Sequence, residues 1–320
     1  MPIPKSTRTK TSVRLPAFAK VNLCLHVMGK RPDNYHELRT IFQAISLHDT
    51  LEIAVYPTPS LRKRRELVEG ADQPVDSLFR SNDRAMLTPD NLVLRAINAI
   101  REEVGFRGSV SAYLEKRIPV ARGLGGGSSD AAAALIGMLR LTKAKVPLAR
   151  LMEIGAGLGA DVPFFLFGGR ALAVNRGDEI YPLPDAPPRT ILVVSPRDIG
   201  VSTKDAYQWV SAELTRLAKP NRIWGFCALC WSRQGSVAND FESPVFSRHP
   251  RLREIKDGLL KRGAADAALA GSGSAVFGVF RNPAQARRAA RAFPEDSVFV
   301  VETLSREKYG RALGWSALVG

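Results

Sequence analysis

Residues 118–135 read IPVARGLGGGSSDAAAAL, a segment in which three successive glycines and two serines lead into an alanine run. The run to Leu139 is rich in helix-forming residues. Upstream, Val110, Ala112 and Leu114 alternate with other residues and predict a strand. Glycines let the backbone approach a ligand, and a helix start presents unpaired N–H groups and positive dipole charge. The order strand, loop, helix therefore predicts a place for an anion such as a triphosphate.

The loop departs from two common nucleotide motifs. No Gly-Lys-Ser/Thr ends it, so it is not a Walker A sequence, and Ser128 stands where a G-x-G-x-x-G fingerprint has its third glycine. By itself the loop is open to two interpretations, a phosphate cradle or a flexible turn. Three cations close in sequence favour the phosphate cradle, namely Lys116, Arg117 and Arg122.

Residues 20–28 alternate as a strand with one polar face. The period of two places Lys20, Asn22 and His26 on that face. From the residues alone Lys20 could be a surface charge, as a lone strand lysine usually is, and we interpret His26 as a structural residue.

A turn is predicted at residues 31–34, ahead of Tyr35 and His36, and a further strand at 51–55. Residues 57–90 are polar and contain the basic run RKRR. Because such charge runs usually face water, we interpret this excursion as a solvated surface feature without a function.

The second half of the sequence alternates short apolar strands with helices. Ser202 and Asp205 form a capping pattern at the start of one helix. The order strand, helix, helix, strand, strand, helix, strand resembles an elaborated ferredoxin-like split unit. The predicted strands are 191–195, 265–270, 275–280 and 298–301, and the predicted helices begin at 202 and near 250 and span 283–293.

Composition excludes several classes of protein. The 320 residues have a mean hydropathy of -0.09, which leaves no apolar run long enough to span a membrane. Three cysteines cannot form a disulfide scaffold, so we expect a cytoplasmic protein; the pair Cys227 and Cys230 lacks the partners of a zinc site. A net charge of +15 is expected to attract polyanions, either nucleic acid or phosphorylated small molecules.

The glycine-rich segment resembles the phosphate-binding motif of the GHMP kinases, named for galactokinase, homoserine kinase, mevalonate kinase and phosphomevalonate kinase. Residues 16–38 (PAFAKVNLCLHVMGKRPDNYHEL) and 269–280 (LAGSGSAVFGVF) are similar to further family segments and stand in the family's order. The resemblance implies an α+β, two-domain fold with the active site in the cleft. Residues 1–185 would form the N-terminal ATP-binding domain, and residues 186–320 a ferredoxin-like substrate domain.

The resemblance also implies a reaction. The segments AKVNL, DNYH and GLGADVPFFLFGG, at residues 19–23, 33–36 and 157–169, look most like the branch that phosphorylates a cytidine-diphosphate-linked methylerythritol. In that branch ATP, with Mg²⁺, phosphorylates the 2-hydroxyl of this sugar alcohol in non-mevalonate isoprenoid precursor synthesis. We expect small-molecule partners only, with no nucleic acid and no membrane, and leave the oligomeric state open.

The family motifs carry roles over to particular residues. Asp161 is expected to accept the alcohol proton and Lys20 to orient it; from the residues alone, Asp161 could equally be a turn or cap residue. The turn at 271–274 is expected beside the site, and no metal ligand is assigned. The resemblance implies nucleotide binding by Pro119, Val120, Ala121, Arg122, Gly123, Leu124, Gly125, Gly126, Gly127, Ser128 and Ser129, and acceptor binding by Asn22, Tyr35, His36 and Tyr207.

Two alternatives stay open at this point. Another GHMP kinase, of homoserine or mevalonate type, would keep the phosphate loop but should lack the pair Tyr35 and His36. A basic nucleic-acid-binding protein would account for the net charge, although no helix-turn-helix, zinc finger or RNA-binding signature is visible in the sequence.

Overall fold

Two sheets with helices packed on them make up the protein, whose computed structural model describes residues 11–56, 78–216 and 237–314. The basic run at 62–65 and the cysteine pair at 227 and 230 lie outside the described residues. The predictions made for those two stretches therefore stay predictions.

The first sheet has the order β3-β4-β2-β1-β8, and a hairpin of β5 and β6 also pairs with β2. Its first two strands run for 20 and 21 residues, far beyond the predicted 20–28 and 51–55. Register shifts interrupt their pairing near residues 19, 23 and 28. At each shift the alternation of apolar and polar side chains is broken although the strand continues. The strands are β1 Thr11–Lys30, β2 His36–Tyr56, β3 Leu78–Ser81, β4 Ser109–Glu115, β5 Arg170–Asn175, β6 Glu179–Pro182 and β8 Ala238–Asn239.

Four α-helices and a short 3₁₀ turn accompany this sheet. The helix after the glycine-rich loop is buried on nearly every side, which explains its run of small side chains. A side chain at Gly137 would come within 3.0 Å of Ile53 in β2, so helix and sheet are in close contact there. The elements are the 3₁₀ turn Arg84–Met86, α1 Leu92–Glu103, α2 Gly126–Thr142, α3 Leu148–Leu158 and α4 Val162–Phe167.

The second sheet has the antiparallel order β11-β7-β10-β9. With helices between β7 and β9 and one further helix between β10 and β11, this is the ferredoxin-like arrangement that the sequence predicts. The Ser202 hydroxyl accepts from the Asp205 N–H at 3.4 Å, as the capping pattern indicates. The elements are β7 Thr190–Ser195, α5 Thr203–Arg216, α6 Glu242–Arg248, α7 Pro250–Lys261, β9 Asp266–Leu269, β10 Val276–Phe280, α8 Pro283–Ala290, β11 Ser297–Glu302 and α9 Arg306–Leu313.

Chain beyond residue 185 also packs on the first sheet. β8 pairs in parallel with β1, and Tyr309 in α9 is buried with its hydroxyl donating to the Phe165 carbonyl at 2.7 Å. Gly168 has a φ of +63°, and a side chain there would overlap the Tyr309 ring. α9 thus packs against the end of α4, close in sequence to Asp161.

Among the described residues, no helix has both the length and the hydropathy of a membrane span.

Replacing Tyr309 tests how much α9 contributes to stability. We expect Tyr309→Ala to lower the free energy of unfolding by about 3–5 kcal/mol, because it opens a cavity in the core. Tyr309→Phe should lower it by about 1 kcal/mol through the lost hydrogen bond. Urea denaturation measures both. Tyr113→Ala, on the exposed side of β4, is the control and should change it by less than about 0.5 kcal/mol.

Candidate active site

A cavity of about 1260 Å³ lies where the glycine-rich loop meets the second sheet. Nearly all of the site residues predicted from the sequence line it, although they come from distant parts of the chain. Ser129 is the exception. The predicted residues at the cavity wall are Lys20, Asn22, Tyr35, His36, residues 119–128, Asp161 and Tyr207.

The loop passes into α2 with Gly125 as the residue before the helix, at a φ of +72°. The first N–H groups of α2 have no carbonyl one turn earlier to bond, so they are available to an anion. Ser128 lines the cavity, whereas Ser129 is buried and its hydroxyl has no partner among the described residues. Ser129 does not line the cavity, because one residue along a helix turns the side chain by about 100°, and its role in nucleotide binding stays a prediction.

The three cations near the loop all have protein partners, and two of them, Lys116 and Arg122, also line the cavity. Arg117 pairs with Glu115 at 2.7 Å. Arg122 donates to the Ser274 hydroxyl at 2.9 Å and to the Arg197 carbonyl at 3.2 Å. Lys116 lies between two carboxylates. Carboxylates thus offset the charges of Arg117 and Lys116, whereas Arg122 keeps its charge and adds to the positive potential of the helix dipole at the loop.

The carboxylates around Lys116 hold both ends of the loop. The Lys116 ammonium donates to Asp130 at 2.7 Å and also contacts Asp49. Asp49 in turn accepts from the backbone N–H groups of Arg117 and Ile118, at 2.5 and 2.8 Å. Segment 116–118 precedes the loop and Asp130 follows it, so this buried network closes the loop at its base.

Burial sets the protonation of this network. It raises the pKa of Asp130 to about 8, against the lowering effect of Lys116. Burial alone lowers the pKa of Lys116, but Asp130 and Asp49 more than reverse this and raise it. Sequence reasoning missed Asp49, because residues 41–55 contain several polar side chains and no pattern marks this one as buried.

The turn at 271–274 lies directly against the loop, as the resemblance implies. A side chain at Gly123 would sit 1.8 Å from the Ala270 carbonyl oxygen, and the Ala275 N–H donates to the Arg122 carbonyl at 3.2 Å. Asn239, buried beside the turn, donates to the Leu269 and Gly271 carbonyls at 2.8 and 2.7 Å. The glycine-rich loop and the turn at 271–274 thus form one wall of the cavity together.

Lys20 and Asp161 meet at this wall. Lys20 is only 4% exposed, so it is not a surface charge, and its ammonium lies 3.5 Å from an Asp161 carboxylate oxygen. Asn22 accepts from Lys20 at 2.8 Å and donates to the Thr40 hydroxyl at 2.7 Å. Asp161 is the residue immediately before α4, but its side chain makes no capping hydrogen bond.

Tyr35, His36 and Tyr207 lie together at the cavity wall. His36 stacks on Tyr207 with ring centroids 4.8 Å apart, and its Nε2 is 2.6 Å from the Ser211 hydroxyl. Burial lowers the pKa of His36, assisted by Lys30, and burial raises that of Tyr207. Tyr207 supports His36 in this structure, so its expected place against a base stays a prediction.

Comparison with known proteins agrees with this geometry. The family descriptions GHMP kinases N terminal domain and GHMP kinases C terminal match residues 91–169 and 225–297. The 4-diphosphocytidyl-2-C-methyl-D-erythritol kinase of Solibacter usitatus (strain Ellin6076) is 43% identical over 311 residues, 95% of this chain and 92% of that protein.

Solved structures extend the comparison. A crystal structure of 4-(cytidine 5'-diphospho)-2C-methyl-D-erythritol kinase is similar at a TM-score of 0.72 and 34% identity, covering 91% of this chain and 99% of that one. Homoserine kinase from Cytophaga hutchinsonii ATCC 33406 has a TM-score of 0.68 at 16% identity, covering 95% and 97%. The latter likeness is one of fold alone.

Gly123→Ala tests the backbone contact between loop and turn. We expect it to lower the free energy of unfolding by on the order of 3 kcal/mol or more, since the added carbon meets a backbone oxygen at positive φ. Gly127→Ala is the matched control, because its added carbon meets only Leu92 at 3.6 Å. Thermal unfolding of both variants checks this, and equal stability would contradict the contact.

Asp130→Asn tests the buried network through pH. With its pKa raised in the folded state, Asp130 contributes stability that is fully present below about pH 4 and lost as pH rises toward 8. The wild type should therefore lose up to about 1 kcal/mol per pH unit relative to the Asn variant between pH 5 and 8. Urea titrations across this range measure it. If the free energy of unfolding changed with pH equally in the wild type and the Asn variant, the raised pKa of Asp130 would be contradicted.

Proposed function

The chain belongs to the 4-diphosphocytidyl-2-C-methyl-D-erythritol kinases within the GHMP kinases, and on this basis we propose that Lys20 and Asp161 carry its phosphoryl transfer. The chain is thus a phosphotransferase that uses ATP. The observation that carries the proposal is the approach of the Lys20 ammonium to the Asp161 carboxylate, 3.5 Å apart in the cavity that the glycine-rich loop lines.

In the proposed reaction the acceptor is 4-diphosphocytidyl-2-C-methyl-D-erythritol and the reacting group is its 2-hydroxyl. Its oxygen forms a bond to the γ-phosphorus of ATP as the bond to ADP breaks. Phosphoryl transfer depends mainly on positioning and on stabilising charge. The start of α2 supplies N–H donors for the phosphates, and the base of the loop is fixed by Asp49, Lys116 and Asp130.

Asp161 would take the proton of the acceptor hydroxyl. A carboxylate is a weak base toward an alcohol, so this transfer comes late, when the new bond to phosphorus has made the proton acidic. Asp161 is suited to it because its side chain makes no cap bond and is partly exposed to the cavity. Lys20 orients the carboxylate and offsets negative charge on the transferred group.

Asn22 serves mainly to hold Lys20. Its carbonyl oxygen accepts from Lys20 and one N–H donates to Thr40, which leaves a second N–H for the acceptor. We propose that Tyr35 and His36 receive the cytosine, with Tyr35 stacking on the base and His36 making a polar contact. The lowered pKa of His36 keeps its imidazole neutral near pH 7, so one ring nitrogen can accept a hydrogen bond.

Magnesium is proposed as the cation of the triphosphate. In ranges 11–56, 78–216 and 237–314, no three His, Cys, Asp or Glu side chains are grouped so that they could hold a metal ion. Mg²⁺ commonly keeps waters and phosphate oxygens with one or two protein ligands, and the Ser128 hydroxyl at the cavity fits such a role. When bound, Mg²⁺ would neutralise charge on the phosphates.

The alternatives have less support. The similarity to homoserine kinase, at 16% identity, is a similarity of fold. The chain is 43% identical to the 4-diphosphocytidyl-2-C-methyl-D-erythritol kinase of Solibacter usitatus. The basic residues Arg117 and Arg122 have protein partners at the loop. We propose small-molecule partners and, in line with the three cysteines of the sequence, a cytoplasmic location.

ADP release tests the proposal with ATP, Mg²⁺ and three acceptors in parallel: 4-diphosphocytidyl-2-C-methyl-D-erythritol, homoserine and mevalonate. We expect turnover with the cytidyl acceptor alone. Asp161→Asn and Lys20→Met should each lower kcat by about 10²–10⁴-fold, because each removes a group that acts in the transition state.

Asp257→Asn, on the exposed side of α7, is the control and should leave kcat unchanged. Turnover of homoserine or mevalonate would overturn the acceptor. Full activity of Asp161→Asn would overturn the assigned proton acceptor.

A further inference from the structure

The ring of Tyr35 is 55% exposed, and one neighbour covers part of it. The guanidinium carbon of Arg176 lies 5.0 Å from the ring centroid, within the range of a cation–π contact. Both side chains line the cavity. Exposed tyrosines usually turn among rotamers, so a ring that must stack on a ligand benefits from such a support.

Arg176 is itself held in place. It lies in the turn between β5 and β6, and its Nε donates to the Asp178 carboxylate at 3.0 Å, with a second contact through Nη2 at 2.5 Å. The hydrogen bond to Asp178 raises the pKa of Arg176, so the guanidinium stays charged. The Asp178 side chain is buried, which gives the planar group a fixed orientation.

The backbone of Tyr35 is fixed from the other side. Its N–H donates to the Asp33 carboxylate at 3.1 Å, and its carbonyl accepts from the Arg31 N–H at 2.8 Å. Arg31 also contacts Asn175, the residue before Arg176. The turn that carries Tyr35 and the turn that carries Arg176 are therefore joined, and the spacing between ring and guanidinium is set by both.

We propose that Arg176 positions Tyr35 for the acceptor, forming a three-layer stack in which the guanidinium covers one face of the ring and the pyrimidine binds the other. Arg176 is a positioning residue in this stack and Tyr35 the contact. The inference rests on the proposed function, which supplies the pyrimidine. Its chemical basis is that aromatic rings accept a cation on one face and a flat base on the opposite face without mutual exclusion.

The test measures cytidine 5′-diphosphate binding by calorimetry, together with KM and kcat for the complete reaction. Arg176→Ala should weaken cytidine diphosphate binding and raise the KM of the cytidyl acceptor by about 3–10-fold, with kcat and the KM of ATP changing less than about twofold. Arg176→Lys keeps the charge but not the planar group, so its loss should be intermediate.

A double-mutant cycle separates positioning from a merely structural role. In a Tyr35→Ala background, Arg176→Ala should add less than about twofold, because the ring it positions is gone. Arg150→Ala is the matched control, since Arg150 is another arginine paired with acidic neighbours, at 2.9 and 3.0 Å, and lies outside the cavity wall. It should leave cytidine diphosphate affinity unchanged.

The outcomes are distinct. If the wild type binds cytidine diphosphate and Arg176→Ala binds it equally well, or if the two substitutions are additive, this inference is overturned and the proposed function stands. A loss that falls equally on ATP and on the acceptor overturns it as well. If the wild type neither binds cytidine diphosphate nor turns over the cytidyl acceptor, the proposed function fails, and the inference with it.

Discussion

Backbone packs against backbone where the glycine-rich loop meets the turn of the second sheet, and the rest of the site depends on this contact. Gly123 has no room for a side chain because the Ala270 carbonyl occupies that space. The Lys20 N–H donates to the Leu124 carbonyl at 3.0 Å, so the same loop also fixes the strand that carries the lysine. One glycine-rich segment thus joins the proposed phosphate cradle, the proposed catalytic lysine and the ferredoxin-like part.

The charge near the glycine-rich loop is set by a few residues and their partners, although the chain carries a net charge of +15. Arg117 and Arg122 are satisfied by protein groups, and Lys116 is neutralised by the buried carboxylates at the base of the loop. The start of α2 therefore contributes much of the attraction for phosphate through its backbone. Lys20 differs from these cations because it faces both the cavity and the proposed proton acceptor.

The features that could be predicted from the sequence are those that depend on patterns within short stretches of residues. Brief apolar strands and their helices revealed the ferredoxin-like order, and the alternation in residues 20–28 placed Lys20 beside Asn22. The full lengths of β1 and β2 were missed because the register shifts break the period of two. That Ser129 is buried while Ser128 lines the cavity could not be predicted, because a motif gives no rotation about the helix axis.

Contacts between residues far apart in the sequence could be inferred only from the resemblance or seen in the structure. No pattern in the sequence around Lys20 or Asp161 shows that the two side chains lie close together. From the residues alone, Asp161 would be interpreted as a turn or cap residue. Asn239 gave no signal that its amide would hold the 271–274 turn. Tyr207, which the resemblance assigns to acceptor binding, stacks on His36, and no pattern in the sequence pairs these two rings. Such pairings are set by packing between sheets, which sequence spacing does not contain.

The most direct measurement of the central claim is a ³¹P NMR spectrum of the reaction mixture containing ATP, Mg²⁺ and 4-diphosphocytidyl-2-C-methyl-D-erythritol. The account predicts that one phosphomonoester signal grows in step with ADP, while the diphosphate signals of the acceptor persist. Growth of inorganic phosphate alone, or cleavage of the acceptor's diphosphate, would contradict transfer of the γ-phosphoryl group to its hydroxyl.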